Sequence, residues 1–218
     1  MQIVSINVGQ PQSVIYDGRR VRTSGDKLAV PEAWLGRENF TGDAQADLRV
    51  HGGPDKAACV YSFDHYPFWQ EVLGRPLAPG AFSENLTIAG LRESEICLGD
   101  IFQAGAARVQ VSQPRQPCFK LAGRLGRPDT AELIHANGFT GLYVRVLDEG
   151  LVRAGDAFEL LERHPARITI QFVNEVLHRK RTDRASAQAV LAVEAISKAL
   201  RHDVRRQLER AGANGTNE

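Results

Sequence analysis

The sequence predicts a mainly β (α+β) fold, in which a barrel-like or sandwich body with inserted helices precedes a small three-helix domain. Up to residue 163 the apolar residues occur in short runs separated by turn signals, which is typical of many short strands. After His164-Pro165 the apolar residues recur at helical spacing. Many short strands with two interrupting helices favour a barrel or sandwich over a doubly wound sheet. We therefore expect domains over 1–163 and 164–212, and a flexible tail over 213–218.

The strands of the body are predicted from alternation and from the turns that bound them. Residues 1–8 alternate as a strand does, and Asp17-Gly18 is a hairpin signal between strands at 13–16 and 20–23. Further strands are predicted at 58–62, 86–88, 101–103, 108–112, 141–147 and 157–161.

Helices are predicted both inside and after the body. Inside it, Asp64 can cap a helix over 65–73, and Asp129 or Thr130 can cap one over 131–136. After it, helices are expected over about 169–178, over about 184–193 with Asp183 as the cap, and from Ser197 onwards.

The composition is that of a globular protein with a basic C-terminal segment. Hydrophobic residues make up 43% of the 218 residues and charged residues 24%, and no apolar run approaches the ~20 residues of a membrane span. Although the net charge is +1, residues 163–210 hold 11 Lys and Arg against 5 Asp and Glu. The N-terminus lacks the basic segment of a secretory signal. The three cysteines are widely spaced, which argues against a disulfide framework. We expect a cytoplasmic protein without membrane contact.

Cys118 is the residue that most strongly suggests chemistry. It lies in the run 113–120, Gln-Pro-Arg-Gln-Pro-Cys-Phe-Lys, whose prolines restrict the backbone. The flanking Arg115 and Lys120 favour a thiolate, which is a nucleophile and a soft-metal ligand. A cysteine outside a disulfide is more often a small buried hydrophobe. Local sequence leaves both interpretations open for Cys118, whereas it favours the buried thiol for Cys59 and Cys97, which lie in apolar runs.

A glycine turn between cationic side chains marks a second run, residues 42–56. Gly52-Gly53-Pro54 lets backbone N–H groups approach a ligand closely, and Arg49, His51 and Lys56 surround that turn. This arrangement suits an anion such as phosphate. A solvated hairpin tip explains the same residues, because the run is not a GxxxxGK[ST] loop.

Glu84 and Asn85 precede an apolar strand in a third run, residues 80–87. The amide of Asn85 can hydrogen-bond the edge of a heterocycle, since it both donates and accepts. A simple turn over 83–85 explains the same residues.

Together the three runs resemble the MOSC family, the molybdenum cofactor sulfurase C-terminal domains, and within it the stand-alone bacterial YiiM-like branch. The resemblance rests on Gly42-Asp43-x-Gln45-Ala46-Asp47-x-x-x-His51-Gly52-Gly53-Pro54-Asp55-Lys56, on Phe82-Ser83-Glu84-Asn85-Leu86-Thr87, on Gly99-Asp100 and on Pro114-Arg115-Gln116-Pro117-Cys118. It extends from the N-terminus to about residue 161, and the tail resembles the three-helix (3-alpha) domain that often follows. The ordered set is more specific than any one run.

The resemblance implies a MOSC-type β-barrel that binds a molybdenum cofactor (molybdopterin), with the Cys118 thiolate on the metal. The phosphate of that cofactor needs cationic and backbone donors. The residues that can hold the cofactor are Arg49, His51, Gly52, Gly53, Lys56, Glu84, Asn85, Arg115 and Lys120. The family usually has glycine at the position of Ser83, so a positive φ there would strain this chain.

On this resemblance the leading hypothesis is a molybdenum reductase that converts N-hydroxylated compounds, such as hydroxylaminopurine-type bases, to amines. Removal of the N–O oxygen takes two electrons and releases water. The sequence has no flavin, haem or iron–sulfur motif, so we expect a separate electron-donor reductase as partner. Asp55 and His51 are the candidates for relaying protons.

Two alternatives stand beside this hypothesis. Cys118 could carry a persulfide in a sulfur-carrier protein, because related domains occur in the cofactor sulfurase. The basic C-terminal helices could instead contact nucleic acid, an acidic partner protein or the acidic body. A solvated helix face explains the same charges and makes nucleic acid the weaker expectation. The sequence does not indicate an oligomeric state.

Overall fold

The computed structural model describes residues 1–16, 18–47 and 52–214, with side chains up to residue 211. The strands are β1 (Gln2–Val8), β2 (Gln12–Tyr16), β3 (Arg19–Thr23), β4 (Leu28–Val30), β5 (Glu32–Leu35), β6 (Ala58–Ser62), β7 (Leu86–Ala89), β8 (Ile101–Ala104), β9 (Ala107–Pro114), β10 (Leu142–Asp148), β11 (Gly150–Arg153) and β12 (Phe158–Glu162). The helices are α1 (Tyr66–Leu73), α2 (Phe119–Leu125), α3 (Thr130–Asn137), α4 (Ile170–His178), α5 (Arg184–Leu191) and α6 (Lys198–Asn214). Short 3₁₀ turns occupy Pro54–Lys56 and Phe63–His65. None of the described helices combines the length and the apolar character that crossing a bilayer requires.

The body is built on one eight-stranded sheet with the order β12-β8-β9-β10-β6-β7-β1-β4. Its pairs are antiparallel except β6 with β7, which run parallel. Two small sheets, β2 with β3 and β5 with β11, stand beside it. The mainly β body followed by helices is therefore confirmed.

The sheet curls back on itself but is not a closed barrel. An isolated antiparallel bridge joins Gln2 to Ala157, just before β12, and Ile3 N–H donates to the carbonyl of Asp156 at 2.9 Å. A continuous ladder between β1 and β12 does not form in the described chain, because β1 pairs with β7 and β4 instead. The barrel closure expected from the resemblance is thus incomplete.

The strands missed by sequence reasoning are short or lie beside turns. They are β4, β5 and β11, of three or four residues each, too short for alternation to be read. Helix α2, directly after Cys118, was also not predicted, because Gly123 interrupts its seven residues. This glycine is required by packing: a Cβ at residue 123 would lie 2.7 Å from the Cβ of Tyr16 on β2.

Two of the predicted helix caps inside the body are wrong. Ser62, not Asp64, accepts from the backbone at the start of the 3₁₀ turn, while the Asp64 carboxylate accepts from Gly90 N–H at 3.0 Å. Asp129 occupies the cap position of α3 but makes no capping hydrogen bond from its side chain, which instead pairs with Arg127. Local spacing identified the right turns, and tertiary partners decided which side chain was free to cap them.

The three C-terminal helices begin where the sequence predicts. Thr169 accepts from Phe172 N–H and Asp183 from Ser186 N–H, each at 3.1 Å, and Ser197 Oγ accepts from Leu200 N–H at 2.9 Å. Ser197 also donates to Gln113 Oε1 at 2.6 Å, and its N–H donates to the carbonyl of Ser112 on β9. The cap of α6 is therefore also a joint between the helices and the sheet.

The backbone at Ser83 has a φ of 61°, in the left-handed region. The MOSC family usually has glycine at this position, and a serine there was expected to strain the backbone if φ were positive. The positive φ confirms this expectation. The strain lies at the loop before β7, and Ser83 Oγ would sit 2.7 Å from a Cβ placed on Gly25. Two loops therefore approach each other closely at this point.

Replacing Ser197 by alanine is expected to lower the free energy of unfolding by about 2 kcal/mol, because it removes a helix cap and leaves Gln113 Oε1 without its donor. Urea unfolding of Ser197→Ala measures this. The control is Ser186→Ala, at an N-terminal position of α5, which is expected to change stability by less than about 1 kcal/mol. Equal losses in the two variants would contradict a joint role for Ser197.

Replacing Ser83 by glycine is expected to raise the free energy of unfolding by about 0.5–1 kcal/mol, since the relief of left-handed strain exceeds the added entropy of the unfolded chain. Thermal and urea unfolding measure the gain. Ser83→Ala keeps the Cβ and should show no gain; a gain in both variants would assign the effect to the hydroxyl.

Candidate functional site

A cleft with an internal volume of about 100 Å³ and an open mouth lies where the predicted runs meet the β2–β3 hairpin. Its walls come from the hairpin and the following loop, the loop after β5, the start of β6, the loop before β7 and the end of β9 with α2. The lining residues are Tyr16, Thr23, Ser24, Gly25, Lys27, Asp43, Gln45, Ala46, Gly52, Lys56, Cys59, Ser83, Asn85, Arg115, Gln116, Cys118, Lys120, Leu121 and Tyr143. Segments far apart in sequence thus converge on one site, which we call the Cys118 cleft.

Cys118 stands at the junction of β9 and α2 and is partly exposed to the cleft. The register of β9 on β10 ends with Pro114 opposite Leu142, and Arg115 N–H then donates to the carbonyl of Gly141 at 3.1 Å. On the other side, Leu121 N–H donates to the carbonyl of Cys118 at 3.0 Å. Backbone bonds on both sides therefore hold the thiol in place.

Arg115 brings a buried positive charge to the same wall. Only 7% of the residue is exposed, and within the described residues its guanidinium has no carboxylate partner. Burial opposes its charge, but attraction from Cys59, Tyr143, Cys118 and Glu84 outweighs burial and raises the pKa of Arg115. The guanidinium therefore stays charged in the cleft wall, and charge-assisted hydrogen bonds to an anion are open to it. The guanidinium of Arg115 can therefore bind an anionic ligand in the cleft.

Asn85 lines the cleft, but its amide is used within the protein. Its Nδ2 donates to Asp43 Oδ2 at 2.9 Å and to the carbonyl of Asn7 at 3.2 Å, and its Oδ1 accepts from Cys59 N–H at 3.0 Å. Asp43 also forms a buried ion pair with Lys27 and accepts from Gly9 N–H at 2.8 Å. Asn85 therefore fixes the wall, and contact with a heterocycle edge would need these bonds to change.

Lys56 and Lys120 add positive charge at the edges of the cleft. The Nζ of Lys56 lies 5.7 Å from the ring centroid of Tyr143, a cation–π distance. Burial lowers the pKa of Lys56, while Asp203 and Asp55 act in the opposite direction. Lys120 Nζ donates to the carbonyl of Arg22 at 3.0 Å, which ties α2 to the hairpin.

Gly52 and Gly53 have φ values of 102° and 80°. Gly53, with a ψ of 169°, occupies a region that is essentially open to glycine alone. Gly52 lines the cleft, whereas Gly53 begins the 3₁₀ turn behind it. The predicted Arg49 and His51 lie outside the described residues.

Glu84 and Asp55 do not line the cleft. Glu84 is fully buried, and its carboxylate accepts four hydrogen bonds, from Tyr66 Oη, Thr87 Oγ1 and the N–H groups of Gly80 and Phe82. It shapes the strained loop that carries Ser83. A direct contact of Glu84 with a cofactor, as the resemblance suggested, is not supported by this position.

Asp55 is held behind the cleft by the sheet and by the C-terminal helices. It pairs with Arg145 at 2.8 Å and accepts from Lys198 N–H, at the start of α6, at 3.0 Å. Its carboxylate is therefore a link between β10 and α6, and the structure gives it no place in a proton relay in the cleft.

Several lining residues were missed by sequence reasoning. Cys59 is buried as expected, but it also reaches the cleft, and burial raises the pKa of its thiol. Tyr143 lies on β10, and burial raises its pKa. Gln116 accepts at Oε1 from His178, 2.8 Å away on α4, while its buried Nε2 has no partner in the described part of the chain. Only Gln116 had a sequence signal, its place beside Cys118.

The charge of the cleft favours an anion. Among the described lining residues, Lys27, Lys56, Arg115 and Lys120 are cationic, and Asp43 is the acidic one, already paired with Lys27. A thiol, a buried guanidinium and a glycine turn therefore line the same cleft. This arrangement can bind a phosphorylated ligand and present a sulfur atom to it.

The comparisons with known proteins identify the domains of this chain. Residues 47–159 match the model of the MOSC domain, and residues 168–211 match the YiiM-like, 3-alpha helix domain. The chain is 46% identical over 209 residues to the uncharacterized protein YflK of Bacillus subtilis (strain 168), covering 95% of each. The crystal structure of YiiM from Geobacillus stearothermophilus is similar with a TM-score of 0.81 and 38% identity, covering 95% of this chain and 98% of that one.

A more distant relative carries a functional name. A protein named Reductase from Gibberella moniliformis is 35% identical over 133 residues, which is 58% of this chain and 23% of that protein. Together with the two domain matches and the full-length relative, these likenesses show that the chain belongs to the MOSC domain family, with a YiiM-like three-helix domain at its C-terminal end.

Proposed function

We propose that this protein holds a molybdenum cofactor in the Cys118 cleft and reduces N-hydroxylated compounds to amines. The observation that carries the proposal is Arg115, a buried guanidinium without a described counter-ion in a cleft that Cys118 also lines. Membership of the MOSC family and the relative named a reductase support an oxidoreductase.

The residues of the cleft fit a phosphorylated cofactor. Arg115 and Gln116 Nε2, which has no partner among the described residues, are buried donors next to each other in sequence, and Gly52 lets the backbone come close to a ligand in the same cleft. The Cys118 thiolate would serve as a ligand of the metal, which suits a soft sulfur donor. When bound, the cofactor would supply two-electron redox chemistry.

The chain's own residues then bind, orient and supply protons. Arg115 would neutralise the phosphate, and the ordered backbone around Cys118 would fix the sulfur relative to it. The reaction consumes an N-hydroxylated compound, two electrons and two protons, and releases the amine and water. Because burial lowers the pKa of Lys56, its ammonium is a better acid than an exposed lysine and is our candidate for proton delivery. The electrons would come from a separate reductase.

Replacing Cys118 by alanine is expected to reduce molybdenum content or activity by about 100-fold or more, because the protein ligand of the metal is lost. Molybdenum is measured by elemental analysis, pterin by fluorescence after oxidation, and reduction of a hydroxylaminopurine with reduced methyl viologen as electron source.

The control for that experiment is Cys97→Ala, a buried cysteine outside the cleft, which should keep both signals. Full molybdenum and full activity in Cys118→Ala would contradict the proposal. A labile extra sulfur on Cys118 in protein that contains no pterin would favour the sulfur-carrier alternative instead.

Replacing Arg115 by methionine is expected to lower the stability of the cofactor-free protein, because the attraction from neighbouring groups that raises the pKa of Arg115 is lost. The same change should weaken cofactor retention by about tenfold or more, since a charge-assisted contact is lost. Urea unfolding of cofactor-free protein and pterin content after dialysis measure the two effects.

Arg145→Met is the matched control, because Arg145 is paired with Asp55 at 2.8 Å. It should lose stability, since Asp55 is left without its partner, and it should keep the cofactor. The proposal for Arg115 is wrong if both variants retain pterin alike.

A further inference from the structure

A second cleft, of about 470 Å³, lies between the body and the C-terminal helices. It is bounded by the 3₁₀ turn Phe63–His65, the loop at 92–94, the C-terminal end of α3 and one side of α4. None of its lining residues lines the Cys118 cleft. We call it the α3–α4 cleft.

The α3–α4 cleft contains a buried hydrogen-bond acceptor without a donor. Asn174 is 7% exposed, and its Oδ1 has no partner among the described residues. The orientation of the amide follows from Thr140: its hydroxyl donates to the carbonyl of Gly141 at 2.9 Å and so accepts from Asn174 Nδ2 at 2.9 Å. The amide atom without a hydrogen-bond partner among the described residues is therefore the oxygen of Asn174. A buried acceptor of this kind is costly unless a donor reaches it.

Other buried groups beside Asn174 also accept hydrogen bonds. The Glu93 carboxylate is nearly buried and receives one bond at each oxygen, from Gly141 N–H and from His65. Each carboxylate oxygen has capacity for another donor. His135 Nδ1 is a second buried polar atom without a described partner. The inner part of this cleft therefore suits a ligand group that carries several N–H donors.

The more exposed lining residues carry both signs of charge: Arg92 and Arg179 stand with Asp64, which accepts from Gly90 N–H, and Glu175, which pairs with Lys180. Arg92 is exposed, and among the described residues its side chain contacts Glu95 at the surface, at 3.4 Å. Arg179 caps the end of α3 with one nitrogen, Nη2, which donates to the carbonyls of His135 and Ala136. The remaining N–H groups of both arginines can bind a carboxylate. Phe139, whose ring stacks on that of His65 with the centroids 3.8 Å apart, gives the cleft an apolar surface.

We propose that the α3–α4 cleft binds a small zwitterion of the amino-acid class. Its ammonium group donates to Asn174 Oδ1 and Glu93, its carboxylate meets Arg92 and Arg179, and its side chain lies on Phe139. The volume suits a molecule of this size, because small-molecule sites begin at about 300 Å³. The site is independent of the proposed molybdenum chemistry, since the two clefts share no residue.

The test is a calorimetric titration of the full chain with the common L-amino acids at millimolar concentration. For the tightest binder two analogues separate the contacts. The N,N,N-trimethyl analogue keeps both charges without an N–H donor and is expected to bind at least about tenfold more weakly. The decarboxylated amine should lose only the contact of the carboxylate with Arg92 and Arg179, and should still bind through its ammonium group.

Two variants assign the binding to named residues. Asn174→Leu is expected to weaken the amino acid about tenfold or more, with the exposed Gln188→Leu of α5 as the amide-to-leucine control. Arg92→Ala, an exposed change that is expected to fold normally, should weaken the amino acid but leave the affinity of the decarboxylated amine unchanged.

Three results would overturn the proposal. They are the absence of binding by any amino acid, equal binding of the trimethyl analogue, and a crystal structure grown with the amino acid that shows only ordered water at Asn174 Oδ1. Loss of amine binding in Arg92→Ala would also contradict the assigned orientation.

Discussion

The Asp43 carboxylate is the interaction on which the Cys118 cleft depends. It pairs with Lys27, accepts from Asn85 and accepts from Gly9 N–H, so one buried group joins β1, the hairpin side and the loop before β7. Such a network holds its members in one arrangement because each buried polar atom would be costly without its partner. The wall of the cleft is therefore rigid on this side before any ligand arrives.

Arg115 and Gln116 differ from the residues around Asp43, whose polar atoms are paired within the protein. Both lie in the run that carries Cys118: Arg115 has no carboxylate ion-pair partner in the described chain, and the buried Nε2 of Gln116 has no hydrogen-bond partner there. Protein interiors rarely leave such groups unmatched. The contrast between a fully bonded wall and an unmatched one is the strongest structural argument that the cleft takes a ligand from outside the chain.

The C-terminal helices belong to this architecture and are not a separate appendage. Ser197 bonds Gln113, Lys198 N–H bonds Asp55, and His178 contacts Gln116. These contacts join the helices to the segment that carries Cys118 and to the 3₁₀ turn that follows Gly53. The helices thus support the site, and their meeting with the body also creates the α3–α4 cleft.

The sequence by itself determined the order of the main elements, the caps of the C-terminal helices and the run around Cys118, because these depend on neighbours within a few residues. It also marked Ser83 as strained. Tertiary structure alone decided that the polar atoms of Glu84, Asn85 and Asp55 are hydrogen-bonded within the protein. It also decided that Lys27 and Tyr143 line the cleft. The reason is physical: a polar side chain binds the nearest partner that the fold supplies, and that partner is often more than forty residues away.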